Sequence, residues 1–195
     1  MEMNEFLCLE FANTIVIQHR KRVDLIGSPE ELMQWLLEKN ILAPAALSEL
    51  NHKWSKSEQN RLTQIAQNFR DELRAMAEKV VAKREIPESA RESINDLLAQ
   101  QSEYSSIERT RSGFEIRKHR ELDRPEQLLF SIAESTAALL CEANLALVKK
   151  CSNPECTLFF FDSTKNHRRR WCSMQTCGNR MKVDAYWKRK HEDAG

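Results

Sequence analysis

Cys151, Cys156, Cys172 and Cys177 form two pairs, each with four residues between its members. Thiolates at that spacing suit metal chelation. Each pair supplies two sulfurs from one tight turn, and the intervening chain brings the second pair round to the first. A zinc ion held by four thiolates has no open coordination position and serves structure. Disulfides or a redox pair are the competing reading of the same spacing. The start of the chain, Met1-Glu2-Met3-Asn4-Glu5, is acidic, unlike the basic start of a secretory signal. No apolar run reaches the roughly 18 residues of a membrane span. The expected compartment is therefore the cytoplasm, where paired cysteines read as metal ligands before disulfides. An iron–sulfur cluster also takes four thiolates, but nothing in the sequence favours redox chemistry. Cys8 and Cys141 stand alone in apolar segments and read as small buried hydrophobes.

Basic residues crowd the cysteines. Arg168, Arg169 and Arg170 precede the second pair; Arg180, Lys182, Lys188, Arg189 and Lys190 follow it. Residues 1–148 carry a net charge of −5 and residues 149–195 a net charge of +6. An acidic body with a basic appendage points to nucleic acid as the partner, because guanidinium forks suit phosphates and guanine edges. Three consecutive arginines cannot all face one way, so about two of them are expected at phosphate. A zinc-stabilised adaptor between proteins is the competing class, and RNA the competing nucleic acid. Trp171 and Trp187 read as core of the small module rather than stacking platforms. Asn179 is placed to brace the second cysteine turn or to read a base. His167 has no second histidine nearby with which to hold a catalytic metal, so the chain is expected not to be an enzyme.

The elements that must position these residues are mostly helical. Ser28-Pro29-Glu30-Glu31 and Ser55 with Glu58 are capping-box starts. After Ser55, Leu62, Ile65, Phe69, Leu73, Met76 and Val80 recur at helical spacing and predict an amphipathic helix of about seven turns. Pro44, Pro87 and Pro125 open or bound further helices. The apolar run Phe6–Ile17 is read as a helix. Between Tyr104 and Leu122 the period changes around Arg111-Ser112-Gly113, predicting a β-hairpin. In the body, Asn13 and Thr14, with His19-Arg20 nearby, interrupt an apolar segment and are candidate ligand-binding residues; a capping role for Asn13 competes. No flexible linker separates the body from Cys151, so the metal module is expected to be docked rigidly.

These residues resemble a known family. Cys177-Gly178-Asn179-Arg180 is similar to the signature of the CGNR zinc fingers, and Arg168-Arg169-Arg170-Trp171-Cys172-Ser173-Met174 fits the same pattern. Phe11-Ala12-Asn13-Thr14 resembles the start of the ABATE domain that precedes such fingers. The resemblance implies a transcription regulator with a DNA-binding finger and a body that senses a small-molecule effector. The expected fold is α+β and mainly helical. A helical domain with a small hairpin spans residues 1–148, and a treble-clef zinc finger with one structural Zn²⁺ spans residues 149–195. No membrane partner is expected, and a homodimer is compatible with the sequence.

Overall fold

A computed structural model describes residues 6–100, 103–120 and 122–192. The chain opens with a short helix, α1 (Leu7–Ala12), and a hairpin of β1 (Ile15–Gln18) and β2 (Lys21–Asp24). The single helix expected over residues 6–17 therefore breaks at Asn13. Ile15, Val16 and Ile17 are β-branched and prefer extended backbone. His19 and Arg20 turn the chain with φ of 49° and 63°, the left-handed pair that a type I′ hairpin turn demands. They are turn residues, and Arg20 extends into solvent near Glu155.

The capping boxes form as the sequence predicts. Ser28 starts α2 (Pro29–Glu38): its Oγ accepts from the Glu31 N–H, and the Glu31 carboxylate accepts from the Ser28 N–H. Pro44 opens α3 (Pro44–Lys53). Ser55 and Glu58 repeat the reciprocal arrangement at the head of α4 (Lys56–Val81). α4 has 26 residues and is about 39 Å long at 1.5 Å per residue. Helix α5 (Glu88–Leu98) follows Pro87, and the predicted hairpin is β3 (Glu103–Thr110) against β4 (Gly113–Arg120). Gly113 has φ of 144° beside the Arg111-Ser112 turn. A 3₁₀ turn at Pro125–Leu129 leads into α6 (Phe130–Glu142).

Among the described residues one core joins the helical body to the start of the cysteine module. Leu9 and Phe11 of α1, Leu32 and Leu36 of α2, Leu62, Leu73 and Met76 of α4, and Leu129 and Ile132 beside α6 are fully buried. Cys8 lies among them, and burial pushes its thiol up to about 11. Cys141 differs from expectation, since it is exposed on α6. The core does not stop at residue 148. Val148 of β5 (Val148–Lys150) and Phe159 of β6 (Phe159–Phe161) belong to it. These strands pair antiparallel on either side of the first cysteine turn, with Val148 opposite Phe161. Helix α7 (Asn179–Glu192) ends the described chain. Among the described residues no helix is long and apolar enough to cross a membrane.

Candidate metal centre and basic surface

The first cysteine turn hangs between β5 and β6. Asn153, buried within it, shapes the loop: its Oδ1 accepts from the Glu155 N–H and its C=O from the Cys156 N–H. Its Nδ2 donates to the Cys177 sulfur at 3.4 Å. The backbone N–H groups of Asn153 and Cys172 face the Cys151 sulfur, and that of Leu158 faces Cys156. Donors aimed at sulfur stabilise thiolate charge around a metal. The second pair is set by a wide turn over Met174–Gly178, held by the Gly178 N–H donating to the Ser173 carbonyl. A Cβ on Gly178 would stand 2.5 Å from the Met174 sulfur and 3.4 Å from the Trp171 ring, so these two side chains fill the space that glycine leaves.

The four sulfurs lie within 4.8 Å of one another, and none is in a disulfide. A tetrahedral ion with Zn–S bonds of about 2.3 Å sets its sulfurs about 3.8 Å apart. Cys172 Sγ lies 3.7 Å from both Cys156 Sγ and Cys177 Sγ. The residues therefore fit zinc, which would bind Cys151, Cys156, Cys172 and Cys177 as a closed, structural ion. The hydrogen bond from the Cys172 thiol pulls Cys156 down to about 5. The same bond, and then burial, pushes Cys172 up.

The strand after the first turn is locked to the body by an amide clamp. Asn13 Nδ2 donates to the Phe159 carbonyl at 2.7 Å, and the Phe159 N–H donates to Asn13 Oδ1 at 2.9 Å. The side-chain amide of Asn13 thus takes the place of a neighbouring strand's peptide group. Thr14, also buried, returns its hydroxyl to the Phe11 carbonyl at 2.8 Å. Both side chains are committed to hydrogen bonds within the fold. Arg74 of α4 seals the same junction, donating to the Ala12 carbonyl at 2.7 Å and the Thr157 carbonyl at 3.2 Å. Sequence reading missed Arg74. Its signal was a cation beside Leu73 and Ala77 on the inward stripe of a long helix.

The chain matches the ABATE family, described as "Putative stress-induced transcription regulator", over residues 5–143. The chain belongs to the ABATE family. Residues 148–190 of this ABATE protein match the CGNR zinc finger, so the four-cysteine site is its structural zinc centre. A search of curated proteins finds no significant match.

In the finger of the ABATE protein the basic residues divide into two groups. Arg169 faces inward: its Nε donates to the Trp171 carbonyl at 2.9 Å, its Nη2 to the Cys172 carbonyl, and its guanidinium lies 4.7 Å from the Phe160 ring centroid. It holds the second cysteine pair in place. Asp162, fully buried, organises the preceding loop. Burial alone would raise its carboxyl. The Lys149 ammonium, the Thr164 hydroxyl and the N–H groups of Arg169 and Thr164 outweigh that and bring it to about 2. His167 closes the same loop with φ of 48°, its ring nitrogen against the Asp162 carbonyl. Asn179 braces the second turn, donating to the Gln175 carbonyl.

Arg168, Arg170, Arg180, Lys182, Lys188, Arg189 and Lys190 are exposed. Among the described residues, Arg180 alone of these makes an ion pair, with Glu155 at 3.7 Å. Trp171 is half-buried, and Trp187 is not core. Trp187 is 50% exposed on α7, beside Tyr186 and Val183 at 54% each. The treble-clef expectation placed a hairpin between the cysteine turn and the helix. Only one strand, β6, forms there, and it pairs with β5, which precedes the turn.

Proposed function

We propose that this protein is a non-enzymatic cytoplasmic regulator that grips DNA with its zinc finger and receives a small-molecule signal in its helical body. One observation carries the DNA reading. Arg168 and Arg170 beside the second cysteine pair, and Arg180, Lys182, Lys188, Arg189 and Lys190 on α7, are exposed, and α7 packs almost nothing beneath it. At 100° per residue, Val183, Tyr186, Trp187 and Lys190 share one side of α7. Lys182 and Arg189 flank that side on one edge, and Arg180 on the other. A projecting helix with this composition suits a groove lined by phosphates. The exposed Tyr186 and Trp187 favour a second reading, single-stranded nucleic acid, whose bases stack on aromatic rings.

The test is a salt titration of the zinc-loaded protein on duplex DNA, single-stranded DNA and single-stranded RNA of matched length. Duplex affinity is expected to exceed the others and to fall steeply with salt. Replacing both Arg168 and Arg170 with Ala should flatten the logarithmic salt slope by up to about two units, roughly one per lost phosphate contact. Tighter binding to single strands would select the stacking reading. Salt-independent binding, or none at low salt, would leave the protein–protein adaptor.

A further inference from the structure

We propose that the β3–β4 hairpin is the dimerisation arm of this protein, packing its apolar face against the same face of a second copy. Alternation along the two strands gives the hairpin two chemically different faces. Ile107 stands directly opposite Ile116, and Arg109 opposite Phe114, so these four share one face. The other face carries Glu108, Glu115 and Arg117 and is satisfied within itself. The Arg117 guanidinium pairs with Glu108 at 2.9 Å and with Glu115 at 3.1 Å. An antiparallel pair that alternates in this way commonly lays its apolar face on a core. Here the core is elsewhere. Ile107 and Ile116 are 74% exposed and Phe114 is 73% exposed, and none of the three packs against the hydrophobic cluster of the body. A two-stranded hairpin with neither face covered is marginal by itself, so the cover must come from outside the chain.

Area and side-chain chemistry point to a second copy as that cover. At about 200 Å² for a whole Ile or Phe, the three side chains expose on the order of 450 Å², the size of patch that marks an interaction site on a monomer. Two copies bring together about twice that area, and exposed Ser105 and Arg109 on the same face carry the total to about 1,200 Å², where specific interfaces begin. The patch is also complementary to itself. Sheets stack face to face about 10 Å apart. A two-fold axis running along the strands between two stacked hairpins lays β3 over the second copy's β4. Ile107 then meets the second copy's Ile116, and Arg109 meets its Phe114. Within one hairpin the Arg109 guanidinium already lies 6.0 Å from the Phe114 ring centroid. Such a cation–ring contact strengthens when water is excluded. The two Arg109 side chains stand on opposite edges of the stack, so like charges do not oppose each other. An isologous contact of this kind closes at two copies.

The experiment is sedimentation equilibrium of the full-length, zinc-loaded protein over a wide concentration range, since dimer formation follows mass action. The mass is expected to rise from that of one 22.8 kDa chain toward twice that value and to stop there. Ile107→Ser, Phe114→Ser and Ile116→Ser combined should leave a monomer at every concentration. Glu108→Ser with Arg117→Ser, on the opposite face, should dimerise as the wild type does, because exposed ion pairs contribute little. Phe114→Glu alone should weaken the dimer at least about a hundredfold, since it buries an unpaired carboxylate in the apolar contact. If the triple variant melts early in dilute solution, Phe114→Glu decides alone. The arm is overturned by association that runs past the dimer, by a dimer that survives the triple substitution, or by equal loss of dimer in the opposite-face variant. A wild type that stays monomeric throughout also overturns it and leaves the apolar face to a different protein.

Discussion

Asn13 and Arg169 hold the finger together from opposite ends, and each can be tested by removing its side chain. Asn13→Ala leaves the Phe159 N–H and carbonyl buried without partners. At about 1–3 kcal/mol for each unsatisfied group, the cost should be about 2–6 kcal/mol, read as a lower denaturation midpoint in urea. Asn13→Asp keeps the acceptor but not the donor and should fall between. Arg169→Ala removes the donors to the Trp171 and Cys172 carbonyls and the cover over Phe160. Zinc transfer to a chromogenic chelator should then quicken, whereas Arg168→Ala should release zinc at the wild-type rate. The four cysteines were legible from their spacing, because ligand geometry is local to two tight turns. The split among the three arginines was legible only as a constraint: not all could face outward. Which one turns inward depends on where Phe160 and the second cysteine turn lie, and no local pattern records that. Asn13 was singled out for the right reason, polarity inside an apolar segment. Its partner lies 146 residues away.

The helices were read from chemistry that acts within one turn. Ser28–Glu31 and Ser55–Glu58 close their boxes as predicted, and the stripe of α4 is buried from Leu62 to Val80 except at half-buried Ile65. The β1–β2 hairpin was missed because its turn is His19-Arg20, and neither residue carries the usual Asn-Gly signal. The β3–β4 hairpin was found through its period and Gly113, yet alternation did not reveal which face meets the body. Ile107, Phe114 and Ile116 share one face and are 73–74% exposed. Since these side chains lose no buried contact, replacing all three with Ser should shift the melting temperature of the monomer by less than about 2 °C. The same argument applies to α7. Trp187→Ala should leave thermal stability and zinc content unchanged and should weaken nucleic-acid binding.

The body and finger share one hydrophobic core, and metal removal should report this. Val148 and Phe159 sit in the same cluster as Leu9, Phe11 and Leu73. Arg74 bonds both Ala12 and Thr157, and Lys150 pairs with Glu78. A finger on a tether would unfold alone when stripped of zinc, since metal binding energy is folding energy for so small a module. Here chelation should also loosen α1 and the second half of α4. Hydrogen exchange after zinc removal is expected to speed up at Leu9–Ala12 and around Leu73–Val80, with α2 and α3 protected as before. Faster exchange confined to residues 149–190 would show the two parts to be energetically separate. The absence of a linker was readable in the sequence. The shared core was not, because Phe159 and Phe160 look equally suited to a private core of the finger.

The clamp between residues 13 and 159 also constrains how the protein is made. A ribosome adding about 5–20 residues per second needs roughly 7–30 s to travel from Asn13 to its partner 146 residues later. During that interval the α1 segment has been synthesised but lacks the strand that completes its setting. Cys8, sheltered in the finished fold, is open to oxidants throughout. Closure then waits on a second supply, the zinc that orders the turn ahead of Phe159. In a cell short of zinc the α1 segment waits longer still, and it offers an uncapped apolar helix and a free thiol to chaperones and proteases alike.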